Sequence, residues 1–175
     1  MKYDPAIHHR RSIRLRDYDY ASAGAYFVTV CTHERQQILE PVSHVVHAAW
    51  LGLQDRFPDV AVDEFVIMPN HVHGILVLGR TVVEGAASRA PTSLADVVCA
   101  FKSVSAIAAN KFLGRHSQPF WQRNYYERII RNEDELNRIR QYVRDNPLRW
   151  ADDPNNPNNV RVPSRRGAGS LRPCR

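Results

Sequence analysis

Two strand-forming runs, VAVDEFVIM (Val60–Met68) and HVHGILVL (His71–Leu78), are separated only by Pro69 and Asn70. β-Branched and apolar runs joined by two turn-forming residues fold back on each other as a hairpin. The other elements must be arranged around it. YFVTVCT (Tyr26–Thr32) reads as an earlier strand. Pro41 then precedes VSHVVHAAWLGLQDRF, where Val42, Val45, Val46, Ala49 and Leu53 recur at helical spacing. Beyond the hairpin, Gly79 to Pro91 shows no periodicity. Thr92 or Ser93 can cap a helix running to about Phe112, with Leu94, Val97, Val98, Phe101, Val104 and Ala108 as its apolar stripe. PFWQRNYYERIIR (Pro119–Arg131) reads as an extended, aromatic-rich strand. Asn132 with Glu135 has the spacing of a capping box, and the helix it opens ends before Pro147.

The order β-α-β-β-α-β-α predicts an α+β fold of the ferredoxin-like, split β-α-β kind. Four strands would form an antiparallel sheet with the helices on one face. The expected divisions are a basic N-terminal arm (1–22), one domain (23–150) and a flexible basic C-terminal tail (151–175). The tail opens on the Pro/Asn-rich DDPNNPNNV.

Charge narrows the partners. The net charge is +6, and arginine clusters at both ends, in HHRRSIRLR and in RVPSRRGAGSLRPCR. Such ends favour polyanions, and phosphate backbones are the commonest kind. No apolar run reaches the roughly 18 residues of a membrane span. The first residues lack the apolar core of a secretory signal. The expectation is a cytoplasmic protein without a membrane partner or a small-molecule substrate. Cys31, Cys99 and Cys174 form no C-x-x-C pair, which argues against a disulfide framework and a zinc knuckle.

His71 and His73 flank Val72 at the start of a strand. Side chains alternate faces along a strand, so the two imidazoles point the same way, about 7 Å apart along the backbone. Neutral imidazoles so placed can converge on a divalent transition metal, although paired half-buried histidines also occur as plain structure. His8, His9, His33, His44, His47 and His116 lack such a setting and read as structural or surface residues. Near the C-terminus, Tyr142 and Asn146 stand four apart and share a helix face. That face borders Leu136, Ile139 and Val143, which places both at the rim between helix and sheet. Read alone, the tyrosine is packing and the asparagine a helix end before proline.

Together, MPNHVHGILVL, the FKS of Phe101–Ser103, FWQRNYYERIIRNEDEL and YVRDNPLRW resemble the single-tyrosine HUH transposases of the IS200-like family. More closely, they are similar to the REP-associated tyrosine transposases. The resemblance spans most of Tyr26 to Trp150. It implies cleavage and rejoining of single-stranded DNA, with REP-type hairpins as the target. Tyr142 would be the nucleophile and the intermediate a 5′-phosphotyrosine. His71 and His73 would hold Mg²⁺ or Mn²⁺, with Asn146 as a further ligand where the wider family carries glutamine. The partner would be single-stranded or hairpin DNA, bound by a monomer or homodimer. Lys102, Arg128, Arg131 and Tyr125 are candidate DNA contacts, joined by Arg10, Arg11 and Arg14 of the arm; half of the rings near Trp121 must instead face the core. Three other readings use the same residues: a non-catalytic single-stranded nucleic-acid binder, a metal-dependent nuclease in which water attacks, and a replication or conjugation initiator nickase, whose usual helicase or extra tyrosine segments are absent from this sequence.

Overall fold

A computed structural model describes residues 22–79, 92–153 and 155–159. Arg10, Arg11, Arg14 and the rest of the expected arm up to residue 21, with residues 154 and 160–175 of the expected tail, lie outside these residues. Four strands, β1 (Gly24–Cys31), β2 (Val60–Met68), β3 (His71–Leu78) and β4 (Tyr126–Ile130), form one sheet in the order β2-β3-β1-β4. Every neighbouring pair is antiparallel. β3 fills the gap between β1 and β2, and β1 fills the gap between β3 and β4, which is the split arrangement expected from the element order. The hairpin forms as read, with Met68 opposite His71 across Pro69 and Asn70.

The helices divide between the two faces. α1 (Ser43–Leu51), the single turn α2 (Leu53–Arg56) and α3 (Leu94–Phe112) cover one face. There Tyr26, Val28 and Val30 of β1 and Val72 and Leu76 of β3 meet Val46, Trp50, Leu94, Val98 and Phe101 in the main core. α4 (Glu133–Asp145) was expected on that side too. It packs instead on the opposite face, where Val143 meets Phe27, Ile75 and Ile130. The apolar stripe of α4 is narrow, and its short connection from the edge strand β4 brings it across the side that α1 and α3 leave uncovered.

Side-chain caps begin the two longest helices. The Ser93 hydroxyl accepts the Asp96 backbone N–H, and the Asp96 carboxylate accepts the Ser93 N–H, a complete capping box for α3. Asn132 caps α4 through the Glu135 N–H at 2.8 Å, but the Glu135 carboxylate takes the Arg131 N–H rather than the Asn132 one. Three readings change. The strand expected over Pro119–Arg131 narrows to Tyr126–Ile130, because Phe120 and Trp121 turn into the core and only Trp121 bridges Thr32. The α3 stripe runs through Ser105 and Ala109 instead of Val104 and Ala108, and Val104 is exposed. The expected linker at Asp152 is not free: Asp153 and Asn156 are buried, and a 3-10 turn (Asn146–Asp152) leads into them.

Candidate active site

Strand alternation assigns the faces of β3 residue by residue. Val72, Gly74, Leu76 and Leu78 face α1 and α3; His71, His73 and Ile75 face α4. A methyl group built on Gly74 would sit 2.3 Å from Trp50 Cζ2, so the glycine lets the indole lie directly on the strand. The paired histidines are thereby backed by a dense wall of packed side chains.

His71 and His73 are both buried, and their Nε2 atoms are 3.0 Å apart. Each outer ring nitrogen has a partner. His71 Nδ1 lies 2.8 Å from Asn70 Oδ1, and His73 Nδ1 lies 2.8 Å from Thr29 Oγ1, across the β1–β3 register pair Thr29–His73. Asp153 Oδ2 stands 3.8 Å from His71 Nε2. The three side chains offer ligand atoms that all lie within 4.8 Å of one another.

Tyr142 reaches the same place from α4. Its hydroxyl is 3.4 Å from His73 Nε2, and its ring meets Phe27 edge-on. The residue is also 45% exposed, so this part of α4 faces solvent as well as the buried imidazoles. α4 is held over the sheet by charge as well as by Val143. The register of β2 shifts between Val62 and Phe65, and this irregularity turns both Asp63 and Glu64 to α4. Asp63 takes a two-pronged bond from Arg140, at 2.6 Å to Nη2 and 3.1 Å to Nε, and Glu64 pairs with Arg144.

The electrostatics favour neutral ligands. Burial pushes His71 down to about 4, with Asp153 opposing that shift and Arg35 adding to it. Burial, then the neighbouring His71, holds His73 well below its ordinary value. Both rings are uncharged near neutral pH, the state in which imidazole binds metal. Burial raises the Tyr142 phenol above its usual range; the Asn146 amide bond lowers it and the Asp153 charge raises it.

A divalent cation fits this donor set. Two nitrogens each about 2.1 Å from one ion, at nearly a right angle, lie about 3.0 Å apart, close to the 3.0 Å between the Nε2 atoms. Two imidazoles and a carboxylate form a mixed N/O donor set, suited to divalent first-row ions from Mn²⁺ to Zn²⁺. Asn146 is buried one helical turn beyond Tyr142, whose phenol its side chain meets, and its Oδ1 has no hydrogen-bond partner among the described residues.

His71 and His73 are thus brought together with Tyr142, 69 residues beyond His73, and Asn146 adjoins Tyr142 on the same helix face. Among the expected DNA contacts, Lys102 and Tyr125 lie away from this site. Lys102 is on α3, at the other face, and its ammonium donates to the Gln122 and Arg123 carbonyls at 2.6 and 2.8 Å. Tyr125 packs against the main core. Arg128 pairs in register with Phe27, which puts it on the histidine face, where it is bonded to Glu135 at 2.6 Å. Arg131 is exposed at the end of β4. Asp153, Thr29 and Asn70 are site residues that the sequence reading missed. Thr29 needs the strand register to be seen, and Asp153 hides in a Pro/Asn run with no periodicity. Asn70 was visible as the neighbour of His71 but reads as a turn former.

Comparison with known proteins accords with this arrangement. Residues 21–146 match the family model described as "Transposase IS200 like". A Haemophilus influenzae protein described only as uncharacterized is 36% identical over 176 aligned residues, covering 87% of this chain and 96% of its own. The chain belongs to the IS200-like transposase family. A solved REP-associated tyrosine transposase bound to a REP hairpin shares the fold, with a TM-score of 0.58 at 22% identity over 79% of this chain and 74% of its own. Among the described residues, no helix is long and apolar enough to cross a membrane.

Proposed function

We propose that the protein cuts and rejoins single-stranded DNA, with Tyr142 as the nucleophile and a divalent ion held by His71, His73 and Asp153. The observation that carries this reading is the approach of the Tyr142 hydroxyl to His73 Nε2, at 3.4 Å, across 69 residues of sequence. A packing tyrosine has no need to present its oxygen to a buried pair of imidazoles.

The Tyr142 oxygen would attack the scissile phosphorus and displace the 3′ oxygen. The phenol gives up a proton as the new P–O bond forms, and the leaving oxygen takes one up, so cleavage needs no net acid or base. The products are a 5′-phosphotyrosine and a free 3′-OH. Rejoining is the reverse attack by a 3′-OH, and the phosphotyrosine conserves the bond energy without ATP. The ion, when bound, would polarise the phosphate and offset charge building on its oxygens. The backing of His73 by Phe27 and the anchoring of α4 hold the phenol in place for an in-line approach. Asn146 would orient the phenol through its amide, with Oδ1 left to face the ion.

A hairpin with a single-stranded flank is the substrate class we infer, in line with the REP-associated branch of the family. Arg128, on the histidine face, and exposed Arg131 would meet its phosphates. The arginine-rich ends would add salt-sensitive affinity.

The test is a labelled hairpin oligonucleotide library with Mn²⁺, resolved on a denaturing gel. Wild type is expected to give a covalent protein–DNA band. Tyr142→Phe should lose that band and still bind DNA, and His71→Ala or His73→Ala should lose metal-dependent cleavage while remaining folded. Cleavage by Tyr142→Phe at the normal rate would instead identify water as the attacking group. DNA binding without cleavage by wild type would identify a non-catalytic binder.

A further inference from the structure

We propose that Asn70 is a positioning residue: one amide group commits His71 to a single tautomer and fastens over it the segment that carries Asp153. The consequence for metal binding rests on the reading above; the tautomer and the fastening do not.

The deduction starts from two carbonyls. Asn70 is fully buried, and its Nδ2 lies 2.7 Å from the Asn155 carbonyl oxygen and 3.2 Å from that of Arg35. Carbonyl oxygens only accept, so the amide nitrogen must face them and Oδ1 must face the other way. Oδ1 is 2.8 Å from His71 Nδ1. An amide oxygen also only accepts, so Nδ1 carries the proton. A neutral imidazole has one N–H, and the His71 Nε2 lone pair is therefore free to point at His73 Nε2 and Asp153 Oδ2. The Asn70 backbone is fixed as well, because its carbonyl accepts from the Thr32 N–H at 2.9 Å.

The same amide decides what faces that lone pair. Its bond to Asn155 holds the segment that follows the 3-10 turn. Within that segment the Asn155 N–H binds Asp153 Oδ1 at 2.6 Å, which leaves Oδ2 directed at His71. A lone pair and a carboxylate turned towards each other repel unless a cation lies between them. His73 is held more loosely. Its Nδ1 partner is the Thr29 hydroxyl, which can donate or accept, so His73 can take either tautomer. One imidazole is preset as an acceptor, and the other can donate to it or turn its own lone pair inward when an ion arrives.

The experiment uses the full chain, ¹⁵N-labelled and first without metal. Imidazole ¹⁵N shifts should show His71 protonated at Nδ1 in wild type, a reading that needs no variant. In Asn70→Ala the Nε2–H form should appear, and amide hydrogen exchange at residues 155–159 should rise by at least about tenfold, the segment having lost its anchor. Asn70→Asp can still accept from His71 but cannot donate to the carbonyls; it should keep the protonated Nδ1 and still release the segment. Mn²⁺ affinity, followed by electron paramagnetic resonance, should fall by about 10- to 100-fold in Asn70→Ala. Asp153→Asn should weaken Mn²⁺ binding in wild type and add little in the Asn70→Asp background. A wild-type His71 protonated at Nε2 would overturn the proposal, as would unchanged exchange at 155–159 in both Asn70 variants. A wild type that fails to bind Mn²⁺ would remove the metal reading, while the metal-free measurements would still decide the role of Asn70.

Discussion

Gly74 stands beside the paired histidines for a reason unrelated to metal. Trp50 occupies the space its Cβ would need, with Cζ2 at 2.3 Å from that position. Gly74→Ala is expected to cost about 1–3 kcal/mol or more by overpacking, read as a lower urea midpoint. Trp50→Phe in the same chain should recover part of the loss, whereas an unchanged midpoint in Gly74→Ala would show that the indole moves aside freely. At this scale the sequence was legible where parity along one strand sufficed. His71, His73 and Gly74 could be assigned relative faces without a structure. Thr29 and Asp153 could not, because a cross-strand partner depends on register and Asp153 depends on the path of a segment without periodicity.

On the proposed mechanism activity depends on α4, whose anchoring joins a strand irregularity to two arginines one helical turn apart. Asp63 and Glu64 sit in the β2 register shift and bind Arg140 and Arg144. All four are at least partly exposed, and such pairs contribute only about 0–1 kcal/mol each to stability. Their effect on geometry is larger, because Tyr142 lies between the two arginines along the helix. Asp63→Ala with Glu64→Ala should leave thermal stability nearly intact and DNA binding unchanged, yet slow formation of the covalent product by roughly 10- to 100-fold, the scale of a small misplacement of a nucleophile. An undiminished rate in single-turnover assays would mean that Val143 and its apolar neighbours fix α4 alone. Helix spacing in the sequence identified α4, its cap and its stripe. It did not reveal the face on which α4 packs, since that choice depends on what α1 and α3 have already covered. The same limit applied to Phe120 and Trp121, whose alternation looked like a strand although core packing draws both rings inward.

Across the described residues, one sheet face holds the main core and the other the candidate site, and the buried histidines link that site to stability. Burial holds His71 at about 4 and His73 well below its ordinary value. In the unfolded chain both titrate near about 6.5. Below that pH the unfolded chain takes up protons that the folded chain refuses, so the stability of the metal-free protein falls as pH drops from about 6.5 towards 4, and is fully present above it. Urea denaturation at a series of pH values should show this slope, and His71→Asn should flatten it; a profile unchanged between about pH 7 and 5 would contradict the burial. The basic ends add a second expectation at this scale: DNA affinity should fall steeply as salt rises, in proportion to the phosphates neutralised. The central claim is that the phenol over the paired imidazoles forms the covalent bond. Its most direct measurement is peptide mapping, by mass spectrometry, of the adduct formed on a single-stranded hairpin with Mn²⁺. The account predicts a nucleotide joined through its 5′ phosphate to Tyr142, with an extendable 3′-OH on the released strand. A nucleotide found on any other residue, or joined through a 3′ phosphate, would contradict it.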